Sequence, residues 1–147
     1  MSTLGPIRKQ QQFREPTVDA LPVAIAVWHT DHSLQSINSH AIRLTGFSDS
    51  DFIADPGLWI GQVHPEDRAA VSASWGELRK GKREISCDYR FFPKGSRTST
   101  WLREVSVLSR NQSHGPAYVI STYIEINDLK ESRQEREAEL SEAARVD

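Results

Sequence analysis

The stretch Trp59-Ile60-Gly61-Gln62-Val63-His64-Pro65-Glu66-Asp67-Arg68, with Trp75 a helical stretch further on, decides the reading of this chain. It reads as the end of a strand or turn, then a helix start, then an amphipathic helix. Pro65 suits a first-turn position, where a missing N–H costs nothing. Glu66 and Asp67 fall where the positive end of the helix dipole favours anions. Ala69, Ala70, Val71, Ala73 and Trp75 supply helix formers and an apolar face. Gly81 ends the helix. His64, just ahead of the proline, is expected to order the turn that launches it. Glu66 and Asp67 are adjacent on a helix and point about 100° apart, so they read as capping charges and not as a paired acid and base.

Working outward, Val23 to Thr30 is rich in β-formers and ends at the turn signal Asp31-His32-Ser33. Leu34 to Asn38 is a second short strand, and the two read as a hairpin. Ser39 to Leu44 forms a short helix capped by Asn38 or Ser39 and stopped by Gly46. Ser48 to Asp51 opens another short helical turn, with Phe52 and Ile53 as buried anchors, and Asp55-Pro56-Gly57 is a turn. After the long helix come three longer strands. Arg83 to Phe92 alternates, with Ile85, Cys87, Tyr89 and Phe91 on one face. Thr98 to Ser109 is the next, Arg110 to Gly115 a loop, and Pro116 to Ile126 the last. Strands clustered around a few helices predict an α+β domain with an antiparallel sheet.

The ends differ from the middle. Met1 to Glu15 is polar and glutamine-rich, and residues 1–17 read as an arm or as a short helix over Ile7 to Phe13. Thr17 to Leu21 makes a turn before Pro22. The domain proper spans 18–127. From Asp128 to Asp147 no aromatic residue occurs, and carboxylates and arginines alternate on a helical pattern. A heptad seam there reads Leu129, Arg133, Arg136, Leu140 and Ala143. That is too polar for a coiled coil alone, and suits a helical linker at 128–147 leading into an effector.

Composition excludes several classes. The 147 residues make about one domain, and a net charge of −2 offers no electrostatic footprint for nucleic acid. A single cysteine excludes an internal disulfide and a cysteine-only metal site, and Cys87 on its strand reads as buried and inert. Met1 to Pro16 lacks the apolar core of a secretory signal, and no run approaches the roughly 18 apolar residues of a membrane helix, so a cytoplasmic protein without a membrane partner is expected. The glycines are scattered at turns and form no phosphate-cradling loop, and no Gly-x-Ser-x-Gly elbow occurs. An enzyme is therefore not expected.

The pieces also resemble a known family. Asn38 precedes Ala41 to Ser48 (Ala-Ile-Arg-Leu-Thr-Gly-Phe-Ser). Then come His64-Pro65-Glu66-Asp67-Arg68, Asp88-Tyr89-Arg90, Gly95, Trp101-Leu102-Arg103 and a last strand closing in Glu125-Ile126-Asn127. Over roughly Val18 to Leu129 this resembles a PAS sensor domain. The family usually closes with Asp-Ile-Thr, and here Glu and Asn stand in the outer two places. The resemblance implies five antiparallel strands with helices over one face. It also implies a small cavity between sheet and helices. Pocket candidates are Val27, Ile37, Ile42, Phe52, Trp59, Val63, Trp75, Tyr89 and Tyr123, a lining suited to a small apolar or aromatic ligand. The tryptophans from Trp59 to Trp101 equally suit a filled core, and then the domain is a ligand-free dimerisation module.

The resemblance implies a homodimer that signals through its C-terminal helix to an effector, a histidine kinase or a cyclic-di-nucleotide enzyme. Glu125, Asn127 and Arg103 are the expected transmission residues, with Glu125 paired to Arg103. No cofactor is demanded. Haem and a non-covalent flavin stay open as alternatives, although His29, His32, His40, His64 and His114 show no metal-ligand spacing. His29 lies on a strand, where either face is open to it, the inner one included, and His40 is expected on the short helix near the pocket. Cys87, between Ser86 and Asp88 on a strand, does not match the helical Asn-Cys-Arg of the light-sensing relatives.

Overall fold

A computed structural model describes residues 23–110 and 117–146. The expected arm, the turn at 17–21, His114 and most of the loop at 110–115 lie outside the described residues. The elements are β1 (Ala24–His29), β2 (Leu34–Ile37), α1 (Ser39–Thr45), α2 (Asp49–Ala54), α3 (Leu58–Gln62), a 3₁₀ turn (Pro65–Asp67), α4 (Arg68–Arg79), β3 (Glu84–Phe91), β4 (Thr100–Ser109), β5 (Tyr118–Glu125) and α5 (Asn127–Val146). The strands form one sheet in the order β2-β1-β5-β4-β3. Every neighbouring pair is antiparallel. The chain is thus α+β, as its element order predicts.

Local chemistry explains the short helices. Asn38 caps α1 by accepting the Ala41 N–H at 3.0 Å, while the same oxygen accepts the Ile25 N–H and its Nδ2 donates to the Val23 carbonyl. One side chain thereby ties the helix to the edge of β1. Gly46 closes α1 in the left-handed region, φ 76°. A Cβ there would stand 3.0 Å from the Lys94 Cβ. At α2 the Asp51 carboxylate reaches back to the Ser48 N–H.

The stretch around His64 differs in part from its sequence reading. Leu58 to Gln62 is a helical turn, not a strand end. A five-residue run has too little period to separate the two states. Here tertiary packing decides, by turning Trp59 fully inward, 1% exposed. Strand character survives at Val63, which bridges Phe91, with the His64 N–H donating to the Arg90 carbonyl. His64 then caps the 3₁₀ turn, its Nδ1 accepting from the Glu66 N–H at 3.2 Å. Arg68 locks the entry by donating to the carbonyls of Val63 and Gly61.

The core lies between one face of the sheet and α1–α4. Ile85, Tyr89 and Phe91 of β3 point into it as the alternation requires. Two expectations fail here, and the open placement of His29 is decided. Ile53 is 73% exposed, and only Phe52 anchors α2, because in one helical turn the next residue faces about 100° away. Cys87 is half-buried, packed against the core from β3 and not sealed within it. His29 lies on the outer face of β1 beside Tyr118, because Ala24, Ala26 and Trp28 take the inner positions.

Candidate functional site: a filled core and its junction with α5

Six of the nine pocket candidates converge in the core: Phe52, Trp59, Val63, Trp75, Tyr89 and Tyr123 are all buried. Ile37 packs against this cluster from β2 and is partly exposed. Val27 does not join them: alternation along β1 puts it on the outer face of the sheet. Ile42 is half-exposed, because α1 buries Ala41 and Thr45 instead.

Several of the candidates meet in direct contact: Trp59 lies 6.0 Å from Phe52 and 4.5 Å from Tyr123 between ring centroids, and bonds to Tyr89. Trp28 is the residue sequence reasoning left out. Its ring centroid is 5.7 Å from Trp59, 5.8 Å from Phe52 and 6.2 Å from Trp75, each edge-on. Trp59 lies 4.5 Å from both Phe91 and Tyr123. These are contact distances for aromatic pairs. A haem or flavin ring fits at this position only by displacing them. The third tryptophan of the core is thus Trp28, while Trp101 sits outside. Of the described histidines only His32 reaches this cluster, its ring 4.6 Å from Trp28 and 3.8 Å from Trp75; His40 Nδ1 meets Arg43 at 2.9 Å, and His29 and His64 have the roles given above. Among the described residues no group of three or more His, Cys, Asp or Glu side chains is placed to hold a metal ion.

A buried polar network runs through this apolar cluster, centred on Glu104, which is 1% exposed. Its carboxylate accepts from Trp75 Nε1 at 2.8 Å, Tyr89 Oη at 2.6 Å and Ser106 Oγ at 2.7 Å. Ser106 also meets Ser121 Oγ at 2.6 Å. Tyr89 Oη accepts from Trp59 Nε1, and Tyr123 Oη from Trp28 Nε1. All three core indoles therefore have acceptors, as buried polar groups require. Burial pushes the Glu104 carboxyl above its ordinary value, against the three donors that favour the anion. Burial likewise drives the Tyr89 and Tyr123 phenols well upward, with the nearby Glu104 charge adding to it. The signal for Glu104 was present in the sequence: Leu102, Glu104, Ser106 and Leu108 share one face of β4, but a run of mixed polarity does not say which face is inner.

A second constellation joins the helix layer to α5. Asp67 accepts from Arg90 three times, from its backbone N–H at 2.9 Å, Nε at 3.0 Å and Nη2 at 2.9 Å, and Glu66 accepts from the same Nη2 at 3.0 Å. The guanidinium holds the Asp67 carboxyl below its usual range. Arg90 also stands 5.3 Å over the Trp101 ring, which Lys130 of α5 covers at 4.2 Å. Glu66 and Asp67, expected as capping charges, thus bind Arg90 instead, Asp67 making no side-chain capping bond to α4, and lead through Arg90 and Trp101 to the first turn of α5.

Asn127 closes the junction. Its Oδ1 accepts the Trp101 N–H at 2.8 Å, and its Nδ2 donates to Thr100 Oγ1 at 2.9 Å and Glu125 Oε1 at 2.8 Å. One side chain ties β4, the end of β5 and the start of α5. The expected Glu125–Arg103 pair does not form. Arg103 faces across to β3 and holds Asp88 through two bonds of 2.8 and 3.0 Å. In the register of β4 and β5, Glu125 stands opposite Leu102, not Arg103.

A five-stranded antiparallel sheet in the order 2-1-5-4-3 with helices packed on one face defines an α+β domain of one recurrent kind, and comparison with known proteins agrees. The family model for the PAS fold matches residues 35–123. The chain belongs to the PAS-fold family. Among similar solved structures, a sensory box histidine kinase/response regulator from Burkholderia thailandensis E264 superposes with a TM-score of 0.67 at 16% identity, covering 90% of this chain and 98% of that one. A PAS domain from Colwellia psychrerythraea gives 0.65 at 17% identity, covering 83% and 98%. The N-terminal domain of a diguanylate cyclase with PAS/PAC sensor from Marinobacter aquaeolei gives 0.58 at 19%, covering 71% and 94%. A search among curated proteins finds no match. Among the described residues no helix is long and apolar enough to cross a membrane.

Proposed function

We propose that this chain is a sensory, regulatory PAS domain that works as a homodimer and passes a conformational signal through α5 to an effector, a histidine kinase or a cyclic-di-nucleotide enzyme. The observation that carries this reading is the Asn127 junction. A shift of β4 against β5 cannot leave α5 unmoved while one amide holds Trp101, Thr100 and Glu125. Beyond the junction, every described side chain from Glu131 to Arg145 is exposed. A lone polar helix of that length is marginal in water, which favours a partner helix or a following domain. The outer sheet face supports the homodimer. Val107 and Ile120, paired across β4 and β5, and Ile124 beyond them are 41%, 40% and 52% exposed. Kinase and cyclase relatives of the same fold supply the choice of effector. The cytoplasmic location is part of this proposal.

The filled core favours a second reading for the centre of the domain: a packed transmission element with no ligand of its own. A chimera in which this domain replaces the sensor of a histidine kinase tests the relay. Asn127→Ala shifts basal kinase output at least severalfold while the domain stays folded. Unchanged output with a confirmed fold refutes it.

A further inference from the structure

We propose that the cleft between the C-terminal end of α4, the turn after β1 and the adjoining ends of β4 and β5 binds a small organic anion: a carboxylate carried on an apolar or aromatic body. The cleft encloses about 470 Å³, with Trp75, Leu78, Leu108 and Val119 as its apolar floor and Arg79 and Arg110 on its rim. A second hollow of about 480 Å³ shares Leu108 and Arg110 with it and adds Arg83. Arg79 and Arg110 thus flank the apolar floor, and Arg83 stands beside Leu108 in the adjoining hollow.

Those guanidiniums have no ionic partner among the described residues. The ion pairs there are Arg90 with Glu66 and Asp67, Lys94 with Asp51, and Arg103 with Asp88. Arg79 donates its Nε to the Thr30 carbonyl at 3.2 Å, which orients the guanidinium and leaves its terminal N–H groups. The acid in the cleft wall, Asp31, is engaged within its own turn by the Ser33 N–H at 2.9 Å and hydroxyl at 2.6 Å. Arginine presents a planar fork that matches a carboxylate through paired bonds. A bare inorganic anion makes no use of the apolar floor, and a neutral apolar molecule makes none of the arginines. A molecule with both halves uses the whole cleft.

The floor links the cleft to the core. Trp75 donates its indole N–H to Glu104, and the His32 ring lies on its face at 3.8 Å between centroids. An occupant pressed on Trp75 therefore touches the side chain that anchors the buried network to β4, the strand that Asn127 ties to α5. The inference deepens the sensory reading and rests on it for this consequence; binding itself stands or falls alone.

The test uses the whole chain and two probes, naphthalene-2-carboxylate and its neutral amide. Each is titrated by calorimetry and followed through the four indole N–H resonances. The expected result is saturable binding of the acid, with the Trp75 resonance moving most, and at least tenfold weaker binding of the amide. Arg79→Gln combined with Arg110→Gln weakens the acid by tenfold or more, as lost charge-assisted bonds require, while the domain stays folded with a cooperative melting transition. Arg43→Gln, on α1, binds as the parent does. Equal affinity for acid and amide overturns the proposal. So does undiminished binding by the double variant, or no saturation by about 1 mM acid. The kinase chimera reads the junction and not the cleft, so a failed titration leaves the relay reading intact.

Discussion

Replacing Glu104 by Gln probes the centre of the core with almost no change in volume. The carboxylate serves three donors: Tyr89 on one oxygen, Trp75 and Ser106 on the other. When protonated, it still satisfies them, because its hydroxyl can donate to Ser106, which then turns to Ser121. An amide cannot. With its NH2 toward Trp75 it sets two donors face to face. With its NH2 toward Tyr89 it orphans that hydroxyl, whose oxygen already accepts from Trp59. Either way one buried donor is left unpaired, a loss of about 1–3 kcal/mol. The pH dependence has a definite sign. The Glu104 carboxyl is raised above its ordinary 4.5, so the folded state holds the proton more tightly than the unfolded chain. Its contribution is fully present below that value and is lost as pH rises through the folded one, at no more than about 1.4 kcal/mol per pH unit. Glu104→Gln lacks this term. Its deficit against the parent is therefore largest near pH 4.5 and shrinks toward pH 8. Urea unfolding followed by tryptophan fluorescence at several pH values measures the difference, and titrations common to both proteins cancel. A deficit that widens with rising pH would refute the reasoning, since it would mean that the folded state favours the ionised carboxylate.

Three further outcomes follow from particular contacts. His32, in the left-handed region at φ 70° against Trp75, has its pKa lowered from 6.5 to about 4, first by burial and then by Arg79. Its neutral form is the folded one, so the parent loses stability as pH falls from about 6.5 toward 4, by up to roughly 3 kcal/mol. His32→Asn, which tolerates that backbone, flattens this limb of the pH–stability curve; an unchanged limb contradicts the assignment. Gly46→Ala costs about 1–2 kcal/mol in urea unfolding, from the positive φ and the Lys94 contact, and Gly46→Asn costs less; an Ala variant of parental stability refutes it. Ile120→Asp combined with Ile124→Asp shifts the chain from dimer to monomer in sedimentation velocity, and a persistent dimer would place the interface elsewhere.

Sequence alone carries the elements whose signals are local. Asn38 marks a helix start by its side-chain acceptor, Gly46 a helix end by its left-handed backbone and Pro65 a first turn by its missing N–H, and the alternation from Ile85 to Phe91 names the inner face of β3. The family resemblance extends this to five antiparallel strands with helices over one face, and the order of the strands comes from the structure. Tertiary structure decides what alternation leaves degenerate. It turns Trp28, not Val27, into the core, and makes Glu104 the hub of the buried polar network there. It also gives Arg103 to Asp88 and leaves Asn127 to hold the helix. The physical reason is that capping, turn and period-two signals are satisfied within a few residues of chain. Which of two faces is buried, and which charge meets which, depends on register between strands far apart in sequence, where a shift of a single residue exchanges every partner.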